Sequence, residues 1–121
     1  PKPTAQVEAY VDAMGPDLAV KFLLAFGGAE LAIPDAPTGR TAHEVLIGPE
    51  AAARLCAVRH RLQRRVPLAN AWLAAMLAWQ GHSNAHIART LRVSDNSVRS
   101  MLKGGKMTIV IEHAASPMEG A

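Results

Sequence analysis

The chain has 121 residues, half of them hydrophobic and only 4% aromatic, which bounds it to one compact domain or two small subdomains and excludes a disordered chain. A single cysteine, Cys56, excludes an internal disulfide and a four-cysteine zinc site, and no apolar run reaches the roughly 18 residues of a membrane span. The formal charge of +3 is uneven: residues 1–50 hold three basic and seven acidic residues (net −4), residues 51–121 ten basic and three acidic (net +7), which fits either a second half that touches a polyanion or a simple solubility balance.

In chain order, Val7, Tyr10, Val11 and Met14 recur at three- and four-residue spacing and predict a helix over 1–14, stopped by Gly15-Pro16. Pro16 suits the first turn of a second helix over 16–26, with Asp17 at its positive end. That helix carries Leu18, Val20, Phe22, Leu23, Leu24 and Phe26, too many for one wet face, and Gly27-Gly28 ends it. Residues 29–33 alternate weakly before Pro34, which favours extended backbone ahead of it, and predict a short strand that needs a partner from the chain or a second subunit. Residues 35–40 read as a loop. Thr41 and Glu44 have capping-box spacing and open a short helix to Ile47. Gly48-Pro49-Glu50 opens another, expected to reach about Gln63, with Leu55, Val58 and Leu62 on one face and Arg54, Arg61 and Arg65 mainly on the other. Arg64-Arg65-Val66-Pro67 echoes the extended piece and proline of Ile33-Pro34. Residues 68–79 predict a helix with Trp72, Met76 and Trp79 in the core.

The end of this series carries the chemistry. Ser83 can cap a helix over 84–91, Arg92-Val93 follows, and Ser94 can cap a further helix over 95–103. This is helix-turn-helix spacing, in which two helices meet steeply over a short turn. Ile87, Leu91 and Val98 would fill the wedge, Ala88 is small where the helices must approach, Val93 would plug the turn, and Leu102 would extend the buried face. The helix over 68–79 would be the third wall. Arg92 stands where such turns commonly have glycine. The last helix would present Asp95, Asn96, Arg99, Ser100 and Lys103 outward; Asn96, Arg99 and Ser100 are the candidates for base contacts, since Arg can bond guanine and Asn adenine bidentately in the major groove. Arg89, Arg92, Ser94, Lys103 and Lys106 are the candidates for phosphate contacts.

Several short segments, in this order and spacing, resemble a known family: Leu23-Leu24-Ala25-Phe26-Gly27-Gly28, Leu31-Ala32-Ile33-Pro34, Ile47-Gly48-Pro49-Glu50-Ala51-Ala52 with Leu55, Val66-Pro67, and residues 80–102. Together they are similar to the phage transcription activators of the Mu middle-operon regulator and its late-gene relative, over about residues 16–103. The resemblance implies helical homodimers whose N-terminal halves intertwine, with a short strand pairing across the dimer. It also implies C-terminal helix-turn-helix motifs on a partly symmetric double-stranded site, assisting RNA polymerase at a phage or prophage promoter. Carried over, Phe22, Phe26, Leu31, Ala32 and Ile33 would serve dimerisation.

The expected fold class is therefore mainly α. A helical dimerisation region with a short β-strand spans 1–66, a tri-helical helix-turn-helix 67–103, and a candidate short strand and flexible tail 104–121. The strand-favouring Thr108, Ile109, Val110 and Ile111 would make a wing, a dimer arm or a partly ordered tail. The expected function is a homodimeric, sequence-specific DNA-binding transcription regulator, an activator by family; the alternative is a helical module that binds a host or phage protein. No nucleophile–base–acid set and no Gly-rich phosphate loop appears, so neither an enzyme nor a cofactor is expected. His82 and His86 are four apart, but His82 falls before the cap at Ser83, which argues against a metal pair. No signal-peptide or membrane pattern is present, so the bacterial cytoplasm, at the nucleoid, is the expected location.

Overall fold

A computed structural model of the chain describes residues 1–103. These form α1 (Ala5–Phe26), α2 (Ala42–Ile47), α3 (Pro49–Ala57), α4 (Asn70–Trp79) and α5 (Asn84–Leu91), followed by a helical segment over 95–103, here α6. They divide into two compact units: residues 3–69, and residues 70–103 together with Pro1–Lys2. No described helix is long and apolar enough to cross a membrane.

In the first unit, α1 is two helices joined across a kink. Gly15 breaks it with φ 81° and ψ 162°, a conformation that strains any residue carrying a Cβ. Pro16 then restarts the helix, where its missing N–H leaves no intrahelical bond unmade. The helices of α1, α2 and α3 pack on one another. Their shared core includes Val7, Tyr10, Met14, Val20, Phe22, Leu23, Ile47, Leu55 and Cys56. Burial pushes the Cys56 thiol pKa up, and the Glu44 charge adds to this.

Two expectations fail here for identifiable reasons. The short strand over 29–33 does not form, and the described residues contain no β-strand. The segment instead makes one isolated antiparallel bridge, Glu30 to Arg65. Gly28 N–H donates to the Val66 carbonyl (2.7 Å), Val66 N–H to that of Ala29 (2.8 Å), and Leu31 N–H to that of Arg64 (3.1 Å). The two echoing segments of the sequence are thus each other's partners within one chain. Each runs into a proline, Pro34 or Pro67, which offers no N–H to prolong a ladder. The expected strand in the tail lies outside the described residues.

The second failure is the length of α3. It stops at Ala57, not Gln63. The Val58 N–H is shared among the carbonyls of Arg54, Leu55 and Cys56, the chain tightens into a 3-10 turn over Arg59–Arg61, and Leu62 is extended. That turn sets Arg59 against Asp35 and Arg61 against Asp12, the latter at 3.0 Å.

At α2 only half of the capping box is made. The Thr41 hydroxyl accepts the Glu44 N–H at 3.2 Å. The Glu44 carboxylate does not return to Thr41 N–H; it accepts the N–H (3.2 Å) and hydroxyl (3.3 Å) of Thr38 and the N–H of Gly39. It therefore pins the preceding loop to the helix. Its neighbour His43 is also buried, edge-on to the rings of Phe22 and Phe26.

Acid is expected to weaken this unit. Burial holds the His43 pKa below its ordinary value, although Glu44 pulls it upward. The unfolded chain then takes up the proton first, so stability is complete above histidine's ordinary range and falls as pH drops through it. At Glu44 burial acts to raise the carboxyl, but the hydrogen bonds from Thr38, Gly39 and Thr41 outweigh it and leave the pKa below 4.5. That contribution is present above the unfolded value and is lost as pH falls through the lower, folded one. A urea midpoint that falls between about pH 7 and about pH 4 is the expected result, and a flat midpoint would contradict it.

The second unit begins at Asn70, not Leu68. Leu68 is 60% exposed, and Ala69 has φ 56°, which no helix accommodates. Trp72 and Met76 are buried, and the Trp72 indole N–H donates to the Pro1 carbonyl at 3.2 Å. Trp79, expected in the core, is only half-buried. Ala74, Leu77, Ile87, Ala88 and Val98 form the centre of the unit, and Leu91, Val93, Met101 and Leu102 pack around it.

Candidate nucleic-acid interface

The turn between α5 and α6 follows from its capping groups. The Ser83 hydroxyl accepts the His86 N–H at 3.1 Å and starts α5. Arg92 ends it in the left-handed conformation, φ 59° and ψ 46°. The N–H groups of Arg92 and Val93 both reach the Ala88 carbonyl, the latter at 3.0 Å. This left-handed cap turns Val93 back onto the core. The Ser94 hydroxyl then accepts the Ser97 N–H (3.1 Å) and donates to the Ser97 hydroxyl (3.0 Å), starting α6. Ser94 is therefore engaged as a cap.

The αL conformation costs a non-glycine residue roughly 1–2 kcal/mol. Glycine removes that cost but is itself more flexible when unfolded, by about 0.5–1 kcal/mol. Arg92→Gly is thus expected to raise unfolding stability by about 0.5–1 kcal/mol, read from denaturant melts. A loss of stability would mean that the turn has another shape.

Helical geometry sorts α6 cleanly. Val98 is buried, Met101 and Leu102 are half-buried, and Asp95, Asn96, Arg99, Ser100 and Lys103 are exposed. Arg89 on α5 and Arg92 at its end are also exposed. Among the described residues, none of Arg89, Arg92, Arg99 and Lys103 forms an ion pair with a carboxylate. Within α6 the Arg99 guanidinium donates to the Asn96 side-chain carbonyl at 2.6 Å. The sequence offers a signal for this link in the three-residue spacing of Asn96 and Arg99, which its reading as two separate base contacts passes over.

The unit boundary changes the meaning of the charge asymmetry. Residues 3–69 contain seven basic and seven acidic residues and are neutral, because the five arginines between Arg54 and Arg65 belong to this unit. Three of those are paired: Arg59 with Asp35, Arg61 with Asp12 and Arg65 with Glu30. Arg54 donates to the Ala13 carbonyl at 2.6 Å. Residues 70–103 carry four basic residues against Asp95 alone, and Lys2 adds a fifth.

The residues assigned to dimerisation differ in exposure. Phe22 is fully buried, with ring centroids 5.4 Å from Tyr10 and 5.3 Å from Phe26. Phe26, Leu31 and Ile33 are half-buried and Ala32 is exposed. Lys106 lies outside the described residues. His82 and His86, both exposed, stack with centroids 4.5 Å apart. In the first unit, Pro37, Gly39, Glu44, Val45, Gly48 and Pro49 line an open cleft of about 250 Å³, beside which Val45 is 74% and Leu46 40% exposed.

No protein-family model, curated protein or solved structure matches the chain.

Proposed function

We propose that this protein is a homodimeric, sequence-specific DNA-binding transcription regulator of the bacterial cytoplasm, with α5 and α6 acting as a helix-turn-helix and α6 as its recognition helix. One observation carries the reading: Arg89, Arg92, Arg99 and Lys103 are exposed without carboxylate partners on the unit that is strongly basic, while the other unit is neutral. A polyanion supplies the missing counter-charges, and a helix with Asn, Arg and Ser on its outer side supplies groups that bond base edges. Two copies are needed because one small motif makes few contacts, and half-sites about one helical turn apart are the usual remedy. The activator role, and assistance to RNA polymerase at a phage or prophage promoter, come from the family resemblance of the sequence.

Selection from randomised double-stranded DNA tests this. A site with two related halves, bound roughly 1000-fold or more tightly than scrambled duplex, is the expected result. Arg89→Ala is expected to weaken binding to all sequences alike and to lower the salt slope by about 1.

The second reading, a module that docks on a host or phage protein, is favoured by the apolar cleft beside Val45 and Leu46. It predicts that Val45→Asp abolishes capture of a protein partner and leaves DNA binding unchanged.

A further inference from the structure

Resting on that DNA-binding reading, we infer that Arg99 reads a guanine through the major groove and that Asn96 is the residue that positions it, not a reader of adenine. Asn96 and Arg99 are three apart on α6 and share its exposed side. Arg has donors only, so the amide atom that faces it must be the oxygen. The contact of 2.6 Å is short, as charge-assisted bonds are. An amide that reads adenine must turn its carbonyl and its NH2 toward one base together. The Asn96 carbonyl is turned along the helix to Arg99 instead.

The consequence for Arg99 is the reverse. A guanidinium has five N–H donors in a rigid plane, and the bond to Asn96 uses one. The rest are free for the O6 and N7 acceptors of guanine, the commonest specific contact of an arginine. A long exposed side chain ordinarily loses much rotamer freedom on binding, and anchoring it beforehand reduces that loss. Asp95, four residues before Arg99, is the nearest carboxylate in sequence, yet the bond is made to Asn96. An amide holds the guanidinium without neutralising it.

The test uses the full chain and four proteins: wild type, Arg99→Ala, Asn96→Ala and Asn96→Asp. Both side chains are exposed, so all four are expected to fold, which circular dichroism checks. Randomised double-stranded DNA is selected with each. The winning duplex is then titrated against its guanine-to-adenine version and its 7-deazaguanine version, which lacks the N7 acceptor. Wild type should prefer the guanine duplex by roughly tenfold or more, and lose most of that preference with 7-deazaguanine. Arg99→Ala should abolish the preference. Asn96→Ala should reduce it several-fold at that same position and leave every adenine position unchanged. Asn96→Asp keeps an acceptor for Arg99 and should keep the preference. Its added negative charge weakens both duplexes together, so the ratio remains the readout. The inference is overturned if Asn96→Ala spares the guanine preference and flattens an adenine position instead, or if Asn96→Asp behaves as Asn96→Ala. A wild-type selection that enriches no site overturns the DNA-binding reading itself, and this inference with it.

Discussion

Phe22→Ala is expected to cost about 3–5 kcal/mol, a large part of the 5–15 kcal/mol that holds an ordinary small domain together. The Phe22 ring is fully buried within one chain. Tyr10 and Phe26 stack at a tilt on either hand and His43 meets it edge-on, with centroids 5.3–6.2 Å away. Removing the ring leaves a cavity among three other rings that cannot all close over it. The substitution therefore reports where Phe22 acts. A cavity inside one chain is present whether or not a second copy is bound, so the loss should be the same across a roughly hundredfold range of protein concentration. A residue that acts only at a subunit contact contributes nothing to separated copies, and its loss would vanish on dilution. Denaturant melts at the two ends of that range distinguish the cases.

The case of Phe22 marks a limit of reading the chain alone. Its apolar neighbours on the second half of α1 are correctly seen as too many for one wet face. Whether such a face is closed by the same chain or by a second copy depends on where α2 comes to lie, and no periodicity records that. His43 closes it, although a histidine beside a glutamate looks exposed from sequence. The same limit explains the strand. The extended character of residues 29–31 and 64–66 is legible, as is the proline after each segment. Their pairing with each other is a contact across about 35 residues, and it stays a single bridge because proline ends both. Local signals fare better. Gly15-Pro16, Thr41, Ser83 and Ser94 mark real helix boundaries, because caps and breaks are settled by the residues at hand. At the α5–α6 turn Arg92, which stands where such turns commonly have glycine, takes the left-handed position at the energetic cost its side chain implies. The charge pattern needed the fold. Cut at residue 50 it makes the whole second half basic, whereas the boundary after Ala69 assigns five arginines to the neutral unit and isolates the unpaired cations.

Ile87→Ala is expected to cost about 2–5 kcal/mol and to remove DNA binding by a route unlike that of Arg99→Ala. Ile87 and Val98 are both fully buried, one from α5 and one from α6, with Ala74 and Leu77 of α4 beneath them. The described part of α6, residues 95–103, rests on the core through Val98, Met101 and Leu102, and tertiary packing of such an apolar face is what chiefly holds a short helix in water. Shortening Ile87 takes away part of that support. The exposed groups of α6 are untouched by it, and they keep their mutual arrangement in every molecule that stays folded. Well below the lowered melting temperature, the ratio of affinities for the selected site and scrambled duplex should equal that of wild type. On warming, binding to both should fall together and track the melt followed by circular dichroism. Arg99→Ala should do the opposite, leaving the melt in place and collapsing the ratio at every temperature. If Ile87→Ala alters the ratio while the protein is still folded, the wedge between α5 and α6 sets the angle at which Arg99 and Asn96 meet the bases, and the core itself takes part in recognition.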